Sequence, residues 1–237
     1  MSGIFILQLL KLKGGIFVAI TLKAMLSNSK KLTKELASMP GNAEKVVEYT
    51  VKDFHARMPA QVTKAVREVY NIPAARINKA KAKDKGVKGN NIKLGGKIVA
   101  NEGIAYKDNL LTVTKGRFSM KPGSRPKNNK SYRISTEIIK GQTKSLSKNA
   151  FLGTIYSPDA NGSTYIGSKG GQVSGRVFAM QRTGKIKDDG RESIEIIRTL
   201  SVPQMISNEK VAPLMDKPRE ELINKRMEHH RKRLLGL

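Results

Sequence analysis

Cysteine and tryptophan are absent from this sequence, and tyrosine and phenylalanine number six each. Without cysteine the chain forms neither disulfides nor thiolate metal sites, although this does not identify a compartment. With aromatics at 5% and apolar residues at 38%, the core is modest, and a good fraction of the 237 residues belongs in loops or at interfaces. Acidic residues are scarce as well: nineteen stand against forty-five Lys and Arg, a net charge of +26. Self-repulsion on that scale is costly for an isolated globule and implies a polyanionic or acidic partner, either nucleic acid or the acidic face of another protein. No apolar run reaches spanning length. Residues 3–10 are apolar, but Lys11 and Lys13 interrupt them well short of a span. A signal peptide would carry its positive charge before the apolar run, not after it. We read residues 1–15 as an N-terminal arm or strand and residues 16–237 as one α+β domain, with no membrane span.

The most legible stretch covers residues 177–206. Val177, Ala179 and Gln181 alternate with Phe178, Met180 and Arg182 in the period of a strand. Lys187, Asp188, Asp189 and Gly190 supply turn chemistry, and the Ile-rich residues 193–199 supply a second strand. Ser201 and Gln204 then match a capping box, with Pro203 in the first helical turn and Pro213 expected to close that helix.

The remainder reads in order as follows. Residues 16–22 form a strand, and a short helix places Leu32, Leu36 and Met39 on one face before Pro40 and Gly41 stop it. From Asn42 a long helical pattern carries Ala43, Val47, Phe54, Met58, Val62, Val66 and Val69 along one stripe, with a kink or break expected near Met58 because of Pro59. Residues 92–100 and 104–114 suggest two strands, and 132–139 another. The segments of about 115–131 and 157–175 lack an apolar face and are expected to be mobile basic loops. A last helix starts near Pro218, with Glu220 and Glu221 in its first turn, Arg231, Lys232 and Arg233 in its last, and Ile223, Met227, His230 and Leu234 on its inner face. The expected class is therefore α+β: an antiparallel β-sheet flanked by N-terminal helices and a C-terminal helix, with long basic loops.

Residues 75–148 hold nineteen Lys or Arg and four Asp or Glu, so +15 of the +26 falls within 74 residues. Lys93, Lys97, Arg125, Lys127, Lys130 and Arg133 are the residues expected to contact anions or an acidic interface. Aromatic residues for base stacking are sparse there (Tyr106, Phe118, Tyr132), so phosphate contact fits better than base reading. No catalytic, cofactor or metal residues are assigned. Gly167, Ser168, Lys169, Gly170 and Gly171 lack the spacing of a phosphate loop. His229 and His230 are adjacent and point about 100° apart on a helix, so they do not share a metal, and His55 stands alone. Asp188, Asp189, Glu192 and Glu195 suit a turn followed by the outer face of a strand better than a hard-cation site.

Phe151, residues 177–182 with Gly184, Ile194, Ile196 and Ile197 leading into residues 201–205, and the basic terminal helix together resemble the minor tail protein Z family of tailed bacteriophages and prophages. Residues 67–72 and the strongly basic, cysteine-free middle resemble it too. The apolar extension 1–13 and the Gly-rich residues 161–175 depart from the family pattern. The resemblance implies a structural virion component without enzymatic activity or cofactor, acting in tail completion at the head-proximal end of the tail. It implies a homo-oligomeric ring, expected to be a hexamer, that meets other tail or neck proteins such as a tail terminator, tube or connector, and that contacts packaged DNA non-specifically. The location implied is the virion tail or neck, assembled in the host cytoplasm. The alternative is a basic nucleic-acid-binding module of ribosomal-protein type.

Overall fold

Burial along residue pairs three and four apart defines the long helix α1, Asn42–Val69. Val47, Phe54, Met58, Val62 and Val66 are buried as expected, and Val46, Val51 and Ala65 widen the stripe. Of the kink or break expected near Met58, the break does not occur, since the helix is continuous through Pro59. A mid-helix proline costs about 3 kcal/mol. The fully buried Met58 and Val62 on either side of it offset a cost of that order, at about 1.5–3 kcal/mol each. The Thr63 hydroxyl also donates to the Pro59 carbonyl at 2.9 Å.

The computed structural model describes residues 9–12, 15–20, 42–81, 91–94, 97–101, 103–114, 118–122, 134–146, 149–155, 166–167 and 177–235. The short helix expected around Leu32, Leu36 and Met39 lies outside them, as does most of the two segments expected as basic loops. Two compact units are present: unit 1 comprises Met1–Val66, Ala74–Asn109 and Ser201–Leu237, and unit 2 comprises Arg67–Pro73 and Leu110–Leu200.

In unit 1, β1 (Leu9–Leu12), β2 (Gly15–Ile20) and β5 (Ile104–Asp108) form an antiparallel sheet in the order β1-β2-β5. A separate hairpin joins β3 (Asn91–Leu94) to β4 (Lys97–Asn101), where the sequence suggested one strand. Gly95 and Gly96 fall between the two, a pair suited to a two-residue hairpin loop. The short helix α2 (Ala74–Ala80) packs on β5, with Ile77 and Ala80 buried.

The capping box is formed as expected. The Ser201 backbone N–H donates to Gln204 Oε1 at 2.9 Å, and the Gln204 N–H donates to Ser201 Oγ at 3.4 Å, opening α3 (Val202–Ile206). This helix buries Val202, Pro203, Met205 and Ile206 and packs against α2, β2 and β5. Pro213 does not close it. Ile206 ends α3, and Pro213 is the second residue of α4 (Ala212–Leu235), which runs through Pro218 instead of starting there. Proline is at home in a first turn, where its missing N–H has no intrahelical partner to lose. Ile223, Met227 and His230 are buried and Leu234 is half-buried, so the inner face is the expected one.

Unit 2 holds the sheet β11-β10-β12-β13, built from β10 (Ala150–Ile155), β11 (Ile166–Gly167), β12 (Val177–Ile186) and β13 (Glu192–Ile196). Gly190 adopts φ 74° in the turn between β12 and β13, a backbone region that glycine enters without Cβ strain. It also holds β7 (Ser119–Pro122), β8 (Ile134–Ile139) and β9 (Gln142–Ser145) in the order β7-β8-β9, and β14 (Arg198–Thr199) paired with β6 (Leu111–Thr112). Strands β7 and β11 therefore occupy parts of the two expected loops, each by pairing with a neighbour. The architecture is α+β, with a long helix on the N-terminal side, small antiparallel sheets of short strands, and a C-terminal helix.

Candidate functional site

Two of the six expected anion-contacting residues belong to one hairpin. Lys93 in β3 is the cross-strand partner of Ile98, and Lys97, which opens β4, is that of Leu94. Arg125, Lys127, Lys130 and Arg133 lie outside the described residues.

Three of the four carboxylates considered for cation binding, Asp189, Glu192 and Glu195, are engaged by nearby donors. Asp189 Oδ1 accepts from the Arg191 N–H at 3.0 Å, which fixes the turn. Glu192 accepts from the Gly184 N–H at 2.9 Å and lies 3.5 Å from Arg182. Glu195 accepts from the Gln181 side chain at 2.5 Å across the β12–β13 pair. Arg182 also stands over the Phe151 ring, 5.8 Å from its centroid. Among the described residues no group of three His, Asp or Glu is arranged to hold a metal ion.

A polar cluster joins α1 to α4 within unit 1. Asp53 Oδ2 lies 3.1 Å from His230 Nε2 and 3.6 Å from the Arg226 guanidinium. A carboxylate only accepts, so this hydrogen bond requires the proton on Nε2. The Tyr49 ring lies 5.6 Å from that of His230, and Arg233 stands 5.1 Å over Tyr49. Sequence reasoning placed His230 on the inner face but missed its partner. The available signal was the spacing of four in both Tyr49/Asp53 and Arg226/His230, which puts each pair on one helix face. A second ion pair joins Arg76 on α2 to Asp108 at the end of β5. Burial pushes the phenols of Tyr70 and Tyr106 above their ordinary range, so both stay neutral.

On α4, Arg219 is buried on the inner stripe, one turn from Asp216. Desolvation presses the Arg219 guanidinium below its ordinary value, and the charges of Asp216 and Glu220 oppose that shift. Desolvation raises the Asp216 carboxyl above its usual value, with Arg219 opposing. A carboxyl raised in the folded state contributes most when protonated, and that contribution is lost as pH rises through the folded value. Asp216→Asn should therefore gain melting temperature relative to the parent as pH rises from the acid range to neutrality. Thermal denaturation across that range checks this; a difference independent of pH would show that the carboxyl does not feel its burial.

In unit 2 an apolar cavity of about 180 Å³ opens on the β8–β9 sheet. It is lined by Thr136, Ile138, Ile139, Gln142, Lys144, Thr199 and Leu200. Thr136 is 1% exposed, and its hydroxyl makes no hydrogen bond among the described residues. Comparison with protein-family models, with curated proteins and with solved structures finds no match in any of the three. Among the described residues no helix is long and apolar enough to cross a membrane.

Proposed function

We propose that this chain is a structural virion component, a tail-completion or minor tail protein at the head-proximal end of a phage or prophage tail. It works as a homo-oligomeric ring through contacts with other tail or neck proteins, and it has no catalytic role. The observation that supports this reading is the way the segments resembling the tail protein family come together. Phe151 is the cross-strand partner of Met180, and Met180 is in turn the partner of Ile196. The Ser201–Gln204 capping box and the terminal helix then follow in the order the family pattern requires. The charge of +26 agrees with a protein that completes itself against acidic neighbours. Mass spectrometry of gradient-purified particles from the source phage or induced prophage tests the reading. The chain should be present in stoichiometric amount and visible as a ring near the neck; particles that are complete and infective without it would refute the proposal.

The concentration of +15 in residues 75–148 favours a second reading, a basic nucleic-acid-binding module. Affinity for DNA or RNA would then fall steeply between low and moderate salt, and no particle would contain the protein.

A further inference from the structure

We propose that the free edge of β9 and the adjoining cavity form a docking site for an extended acidic segment of another protein, which adds as a strand to the β7-β8-β9 sheet. Among the described residues β9 pairs only with β8, and all four of its residues are exposed. Such an edge presents unpaired N–H and C=O groups to any strand that can reach it.

The cavity adds specificity to that edge. Thr136 is the cross-strand partner of Lys144, so the two share a face of the sheet, and alternation adds Ile138 and Gln142 to it. The register shift between Glu137 and Ile139 brings Ile139 to the same place, and Thr199 and Leu200 complete the lining. A cavity of about 180 Å³ is of the size that takes one large apolar side chain or a small ring. Strand addition uses this combination: main-chain hydrogen bonds along the edge, and a pocket that receives alternate side chains.

Charge selects the occupant. Lys140 and Lys144 are exposed at this edge, and lysines on an edge strand repel a second copy of a chain that itself carries +26. The same lysines attract carboxylates. The segment that fits is extended, acidic, and apolar at every second position. This inference does not depend on the virion reading.

Fluorescence titration of the full-length protein with short labelled peptides tests it. One peptide alternates Val and Glu, and a second has the same composition with the alternation scrambled. Two more are the alternating peptide N-methylated at either odd or even backbone nitrogens. An added strand hydrogen-bonds through one of its edges only, and a one-residue slip would turn its valines away from the cavity. The alternating peptide should therefore bind about tenfold or more tightly than the scrambled one, and only one of the two methylated peptides should retain binding. Lys144→Glu should weaken binding more than Lys187→Glu, which makes the same charge change in the β12–β13 turn. Leu200→Trp, which fills the cavity, should abolish the preference for the alternating peptide; Lys144 is exposed, so its variant serves even if Leu200→Trp fails to fold. Equal binding of all four peptides would reduce the effect to charge attraction and overturn the proposal. Self-association of the protein alone that Lys144→Glu strengthens or Leu200→Trp abolishes would identify a second copy as the occupant and overturn the choice of partner.

Discussion

Met227→Asp should unfold the protein or remove most of its stability. Met227 is 7% exposed on the inner stripe of α4, between Ile223 and His230, which are buried as well. Losing the methionine side chain alone costs about 2–5 kcal/mol. An unpaired carboxylate in its place adds a desolvation penalty of several kcal/mol, roughly, unless it takes up a proton. A domain's whole stability is about 5–15 kcal/mol, so the variant should lack a cooperative melting transition at neutral pH. Lys225→Asp, at an exposed position of the same helix, should shift stability by no more than about 0.5 kcal/mol. Circular dichroism melts of both variants make the comparison. An unchanged melting temperature for Met227→Asp would mean that α4 does not contribute to the core.

The second large effect concerns assembly. Under the proposed function, reversing Lys93, Lys97 and Arg133 to Glu should block incorporation into particles, because those residues meet acidic side chains of adjoining subunits. Placing like charges opposite one another at an interface costs several kcal/mol, roughly, and depends on geometry. Reversing Arg125, Lys127 and Lys130 should instead leave assembled particles with poor infectivity, since contacts with phosphate are additive and screened by salt. Each triple lowers the net charge by the same six units, from +26 to +20, so a difference between them reflects position and not overall field. Particle composition and plaque counts after complementation with each triple give the readout. Normal assembly by the first triple would reduce those charges to a solvated face.

What could be read from the sequence was local. The capping box at Ser201, the turn at Gly190 and the buried stripe of α1 depend on residues within a few positions of one another, and each is as expected. The start of α4 is hard to read because Pro213 and Pro218 both imitate boundaries, whereas the helix begins at Ala212 and buries Met215 and Arg219 on either side of Pro218. Arg219 and His230 share its inner face with Ile223 and Met227, which flattens the amphipathic pattern on which sequence reading relies. The β3–β4 hairpin resembles one strand in sequence because Ile92, Leu94, Ile98 and Val99 spread apolar character across residues 92–100, although Gly95 and Gly96 interrupt it. For the Asp53–His230 pair the spacing of four places each residue on a polar-aromatic helix face, but the partners are 177 residues apart, and no local pattern says which two faces meet. The cavity likewise joins β8 and β9 to residues more than fifty positions further on.

The discontinuity of unit 1 has a consequence during synthesis. Its β2 and β5 strands lie within the first 109 residues, yet the helix α3 that packs on them begins only at Val202. On the ribosome those strands wait while all of residues 110–200 are made, roughly ten seconds at 5–20 residues per second. All of unit 2 has been made once Leu200 is added, whereas the N-terminal sheet still waits for the helix that packs on it. A premature stop just before Ser201 would release a chain whose second unit is complete and whose first has lost its covering helix, a product destined for proteolysis or aggregation rather than for assembly.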